Sequence, residues 1–154
     1  MGDIAIRHID GFDSRLIRDL CRLEIENLGK EASVNQWVIP VLIRYGLVTI
    51  AERLPEKEIA GVCQVLRSYR DPAAAFIHSF YIQPHFRRRH IGRMLLAEVL
   101  KKVRSDDLKR IYLTVDQQNL PAIALYVSAG FKGSSVLKDE YGKGVDRVLY
   151  ALEL

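Results

Sequence analysis

Phe80-Tyr81-Ile82-Gln83-Pro84-His85-Phe86-Arg87-Arg88-Arg89-His90-Ile91-Gly92-Arg93-Met94-Leu95-Leu96 is the stretch around which the rest of the chain can be read. Its first residues end an apolar run, Ala75 to Ile82, that reads as a strand stopped by Pro84, which has no N–H to give a ladder. Its last residues open a helix from about His90 to Arg104, with Ile91, Leu95, Val99 and Val103 recurring on one face. Across this junction Arg87, Arg88, Arg89 and Arg93 put four arginines within seven residues and concentrate positive charge. A strand that delivers arginines and unpaired amides to the start of a helix favours phosphate, because free N–H groups and the helix dipole both attract anions. A pyrophosphate is the natural ligand, and Gly92 has no side chain to obstruct a close backbone contact. The same residues also fit a solvated basic turn with a packing glycine.

Working upstream, Ile4, Ile6 and His8 alternate as a short strand, and Asp13 or Ser14 can cap a helix carrying Leu16, Ile17, Leu20 and Leu23 to about Asn27. The spacing of Trp37, Val38, Val41 and Leu42 predicts a second helix over Val34 to Tyr45, stopped by Gly46; Trp37 and Tyr45 on it either fill the core or line a binding cleft, with core the first reading for Trp37. Leu47 to Arg53 and Ile59 to Leu66 form a hairpin about a charged loop, and Arg70-Asp71-Pro72 breaks the chain. Downstream, Arg110 to Val115 is a strand, Asn119 caps a helix that ends by Gly130, and Lys132 to Leu137 and Val145 to Leu152 are two closing strands.

The 154 residues suit one domain, 1–154, with no linker or repeat. With 49% hydrophobic and 27% charged residues, a disordered or fibrous chain is excluded. The net charge of +4 is too mild to indicate a nucleic-acid partner, and Phe86 is the one aromatic inside the arginine cluster. Cys21 and Cys63 show no disulfide or zinc spacing, so no metal and a reducing, cytoplasmic setting are expected. Asp3, Arg7 and Asp10 speak against a signal peptide, Ile6 against a myristoylation signal, and Asn35, Gln36, Pro40 and Arg44 against a membrane span in the most apolar stretch.

A second segment, Leu113 to Phe131, changes the weight of the first. Together they resemble the acyl-CoA-dependent N-acyltransferases of the GNAT superfamily, whose hallmarks are an R/Q-x-x-G-x-G/A loop and a later N-x-x-A-x-x-L-Y-x-x-x-G-F helix. The helix motif is matched by Asn119, Ala122, Leu125, Tyr126, Gly130 and Phe131. The loop departs from the pattern at Arg87-x-x-His90-x-Gly92, where His90 replaces the first glycine. The order of elements is also that of the family. The resemblance implies an α/β fold with a mixed, mostly antiparallel seven-stranded sheet, about four flanking helices, and strands splayed at a cofactor cleft.

The resemblance further implies acetyl-CoA as cosubstrate. Phe80, Tyr81 and Ile82 would supply backbone bonds to the pantetheine, and Arg87, Arg88, Arg89, His90, Ile91, Gly92 and Arg93 would wrap the pyrophosphate. Asn119 would lie by the pantetheine arm and Tyr126 near the sulfur as the acid, with a phenol that is protonated at neutral pH. Direct transfer needs a neutral amine, a polarised carbonyl and a proton for the departing thiolate. Where relatives often carry a glutamate base, this chain has Phe76 and Thr114. His78, on the strand face of Phe76 and Phe80, is the candidate base; Asp116, Glu24, Glu26 or water are alternatives. Glu140 and Tyr141, in the turn between the last strands, are candidate contacts to an amine acceptor, a small molecule or a peptide, as is Tyr45 in the second helix. The alternative is a CoA-binding module without catalysis. A homodimer follows from the resemblance alone.

Overall fold

The computed structural model describes residues 2–154; Met1, the first residue of the stretch expected to carry no leader, lies outside the described residues. The elements run β1 (Ile4–Ile9), α1 (Ser14–Leu28), α2 (Ile39–Tyr45), β2 (Leu47–Arg53), β3 (Glu58–Arg67), β4 (Ala74–Ile82), a 3₁₀ turn (Pro84–Phe86), α3 (Ile91–Ser105), β5 (Arg110–Val115), α4 (Leu120–Ser128), β6 (Lys132–Leu137) and β7 (Arg147–Glu153). The strands form one seven-stranded sheet in the order β1-β2-β3-β4-β5-β7-β6. β4 and β5 pair in parallel, which requires the α3 crossover, whereas β1/β2, β2/β3, β5/β7 and β6/β7 are antiparallel. The mixed α/β fold with seven strands and four helices is thus the one expected from the sequence.

Contacts divide the chain into two compact units, Met1–Leu66 with His78–Val99, and Arg67–Ile77 with Leu100–Leu154. In the first, alternation along the strands feeds two apolar clusters. Ile9, Val48, Ile50, Ile59, Val62 and Tyr81 pack with Leu20 and Leu23 of α1 and Ile39, Leu42 and Ile43 of α2. Ala51 and Ala60 pack with Phe86 and Ile91, backed by Ile4, Ile6 and Ile82. Each large aliphatic side chain so buried contributes about 1.5–3 kcal/mol. α1 starts where Asp13 Oδ1 accepts the Leu16 N–H at 2.8 Å and stops at Gly29, whose φ of +83° suits a residue without Cβ. Gly61 of β3 is required by close approach: a Cβ there would lie 2.3 Å from Ile82 Cδ1 and 2.9 Å from the Tyr81 carbonyl oxygen.

In the second unit Ile111, Leu113 and Val115 alternate as the buried residues of β5, and Leu100 and Val103 of α3 are buried as well. Asn119 Oδ1 caps α4 by accepting the Ala122 N–H at 3.3 Å, and Pro121 sits in the first turn, where a missing N–H costs nothing.

The second helix is shorter than its apolar spacing predicts. Only Ile39–Tyr45 is helical, because Asn35 organises a turn ahead of it. Its Oδ1 accepts from Trp37 N at 3.0 Å, an Asx turn that breaks the helical pattern upstream, and its carbonyl accepts from Val38 N and Ile39 N, which leads into the helix from Asn35 and not from Val34. Trp37 is therefore not a core residue: it is 78% exposed, while Ile39, Leu42 and Ile43 take the inner face.

Candidate functional site

The first unit holds the strand, the basic loop and the helix start. β4 turns Ser79 and Tyr81 inward, whereas Phe76, His78 and Phe80 alternate on the other face. The parallel ladder to β5 covers Ala74–Ile77 against Arg110–Leu113, and β4 runs on beyond it to Ile82. The Tyr81 carbonyl faces Gly61 of β3, so by strand alternation the main-chain groups of Phe80 and Ile82 face the other way. The Ile82 carbonyl already accepts from Arg87 Nε at 2.9 Å.

After the 3₁₀ turn the chain takes two left-handed residues, Arg88 at φ +59° and His90 at φ +61°. This is the conformation glycine adopts freely and other residues adopt at a cost, so the expected glycine position and the observed strain coincide at His90. His90 then accepts the first helical bond, from Met94 N at 3.0 Å. Alternating backbone handedness ahead of a helix is a geometry that can turn N–H groups toward an anion, and Arg87, Arg88, Arg89 and His90 are all exposed here. These residues fit a diphosphate.

His78 is exposed, yet partial desolvation of its ring lowers its pKa below the usual 6.5. It is neutral at pH 7 and able to accept a proton. Glu24 is fully buried instead. Its Oε1 accepts from Gln64 Nε2 at 2.8 Å and Ser79 Oγ at 3.1 Å, and its Oε2 from Val34 N at 3.3 Å. Burial raises its pKa, and these donors oppose the shift without cancelling it. The nearby Tyr81 hydroxyl is buried beside Glu24 and its pKa is also raised, by burial and then by the Glu24 charge. Glu26 is exposed and pairs with Arg22. A separate groove of about 780 Å³ lies beside α1, with the Arg7–Glu52 ion pair at 2.8 Å among its walls; none of the loop arginines lines it.

The second unit carries the remaining candidates. Tyr126 is buried with its ring 5.8 Å from that of Phe131, so the two aromatic residues of the motif form one pair. Asn119 is exposed and spends its side-chain oxygen on the helix cap. The Tyr141 and Thr114 hydroxyls bond at 3.0 Å, and the Arg147 guanidinium lies 5.5 Å above the Tyr141 ring while its Nη1 approaches Asp116 at 3.8 Å. Tyr141 is therefore held against β5, and Glu140 beside it is exposed. Among the described residues no cluster of three or more His, Cys, Asp or Glu is arranged to hold a metal, and no helix is long and apolar enough to cross a membrane.

The sequence model of the Acetyltransferase (GNAT) family matches residues 20–131, most of the chain and both motifs. The chain belongs to the GNAT family. Its relatives include an N-alpha-acetyltransferase of Saccharolobus solfataricus, 39% identical over 77 residues, or 49% of this chain and 46% of that protein. A ribosomal protein bS18-alanine N-acetyltransferase of Salmonella typhimurium is 33% identical over 67 residues, 44% of this chain and 45% of that protein. The chain thus spans just under half the length of these curated relatives in alignment. Among solved structures, the fold is shared with a probable acetyltransferase from Staphylococcus epidermidis at TM-score 0.81 and 13% identity, over 98% of this chain and 99% of that one. A Bacillus subtilis acetyltransferase in complex with CoA superposes at TM-score 0.75 and 17% identity, over 99% of both chains.

Within this GNAT chain, sequence reasoning named Glu24 only as one alternative base and did not find its partners Gln64 and Ser79. One signal was available: Glu24 follows Leu16, Leu20 and Leu23 on the apolar face of α1, where a carboxylate survives only if donors meet it.

Proposed function

We propose that the chain is a single N-acetyltransferase domain that moves an acetyl group from acetyl-CoA to a primary amine by direct attack, and that the acceptor is a protein amino terminus. The left-handed Arg88–His90 turn at the head of α3 carries this reading, since it follows, after one 3₁₀ turn, a strand that runs on past its parallel ladder to β5. Acetyl-CoA supplies the acetyl group as a thioester, whose carbonyl carbon the amine attacks.

In this reading Arg88, Arg89 and Arg93, with the amides from Arg89 to Gly92, hold the diphosphate; Arg87 secures the loop through Ile82. Phe80 offers its main chain to the pantetheine, with Tyr81 and Ile82 fixing the strand on either side. His78 takes the proton of the amine, directly or through water, and its lowered pKa keeps it neutral for the task. Tyr126 gives its phenol proton to the departing thiolate, which leaves as the free thiol. Asn119 orders the start of α4, and Glu140 and Tyr141 meet the acceptor. The names of the two relatives support an amino-terminal acceptor.

Free-thiol release from acetyl-CoA, measured over peptides with varied amino termini, lysine peptides, polyamines and amino acids, tests the proposal. Turnover with peptides whose α-amine is free, lost when that amine is blocked, is the expected result. Turnover confined to small amines would overturn the acceptor, and failure to bind acetyl-CoA would overturn the activity.

A further inference from the structure

The basic loop is fastened from the side by the β2–β3 hairpin. Glu58, the first residue of β3, uses both carboxylate oxygens: Oε1 lies 3.0 Å from His85 Nε2, and Oε2 2.5 Å from Arg53 Nη2. Glu56 approaches Arg53 Nε at 3.5 Å from the same hairpin. The Arg53 guanidinium lies 5.5 Å from the centroid of the Phe86 ring, and the Arg89 guanidinium lies 5.9 Å from the same centroid. Phe86 itself is buried, with Ile91 at the head of α3 in its cluster. Two backbone-directed bonds complete the attachment: Gln83 N donates to the Ala60 carbonyl at 2.9 Å, and the Gln83 side chain donates to the Ile59 carbonyl. His85, Phe86 and Arg89 thus receive their restraint from a hairpin that carries none of the loop's own arginines.

Such restraint has a physical purpose. Arg88 and His90 both occupy the left-handed region, and a turn of that kind persists only where its surroundings over-determine it. A preorganised anion site also binds more tightly than one that must be ordered by its ligand. Resting on the acetyl-CoA reading above, we propose that Glu58 is a positioning residue for the diphosphate of the coenzyme, acting through His85 and Arg53 on the basic loop. It touches neither the thioester nor the amine.

The test compares acetyl-CoA with S-acetylpantetheine, which carries the same thioester and lacks the diphosphate. Glu58→Gln keeps the shape and removes the charge. The expected result is a rise of about fivefold in the Kd and KM for acetyl-CoA, with the KM for the amine and the turnover of S-acetylpantetheine unchanged. Glu58→Asp should recover part of the loss, and His85→Ala should reproduce the Glu58→Gln pattern without altering the hairpin. Equal acetyl-CoA affinity in Glu58→Gln and the wild type would overturn the proposal. So would an equal loss with both thioesters, because that is the mark of general destabilisation. If the wild-type protein itself binds no acetyl-CoA, the functional reading falls and this inference falls with it.

Discussion

His90 occupies a left-handed backbone position, φ +61°, directly before the first turn of α3, and substitution there separates conformational strain from side-chain contact. An L-residue in that region costs about 1–2 kcal/mol relative to the right-handed form. Glycine escapes the penalty but loses about 0.4–1 kcal/mol through the greater freedom of its unfolded chain. His90→Gly should therefore stabilise the protein by about 0.5–1 kcal/mol. For a chain of 154 residues that corresponds to about 1–4 °C in Tm. A β-branched residue is worse suited than histidine, so His90→Val should lower stability by about 1 kcal/mol and Tm by about 3 °C. Urea unfolding of the three proteins, fitted for midpoint and slope, gives the order Gly, His, Val at unchanged slope. A valine variant as stable as the glycine variant would refute the strain argument.

Other perturbations test the remaining groups. Because burial raises the Glu24 pKa above the usual 4.5, the native state holds that proton to higher pH than the unfolded chain does. Its contribution to stability is full below pH 4.5 and declines as pH rises toward the raised value. Glu24→Gln should flatten that slope in urea unfolding across pH, while Glu24→Ala should cost about 3 kcal/mol by leaving Gln64, Ser79 and Val34 N–H without their acceptor. The acid limb of the pH-rate profile should rise through a pKa below 6.5, where His78 becomes neutral, and His78→Ala should abolish that limb. Tyr126→Phe should lower kcat about a hundredfold with little change in acetyl-CoA affinity; unchanged kcat in single-turnover and steady-state assays would remove Tyr126 from the acid role.

Local chemistry wrote much of this protein directly into its sequence. The strand over Arg110–Val115 alternates so plainly that its bounds were legible, as were those of β6, and Asn119 and Gly130 bracket α4 because caps and stops act within a few residues. The basic loop was legible for the same reason: three arginines between a strand and a helix, with Arg93 in the helix's first turn, are a local pattern. Non-local partners were not. Trp37 read as core on spacing alone, and the Asn35 turn together with the packing of Ile39, Leu42 and Ile43 turned it outward. Glu24 is separated by 40 residues from Gln64 and by 55 from Ser79, so only the tertiary fold brings to its buried carboxylate the donors it needs. Glu58 reads as one more charge in a hairpin until folding sets it against His85, 27 residues away. Sequence alone determined most of the elements and the basic loop between β4 and α3, since these arise from neighbours along the chain. Which charges are buried, and which hold that loop, was decided by the tertiary structure, because desolvation and hydrogen bonding depend on what meets in space.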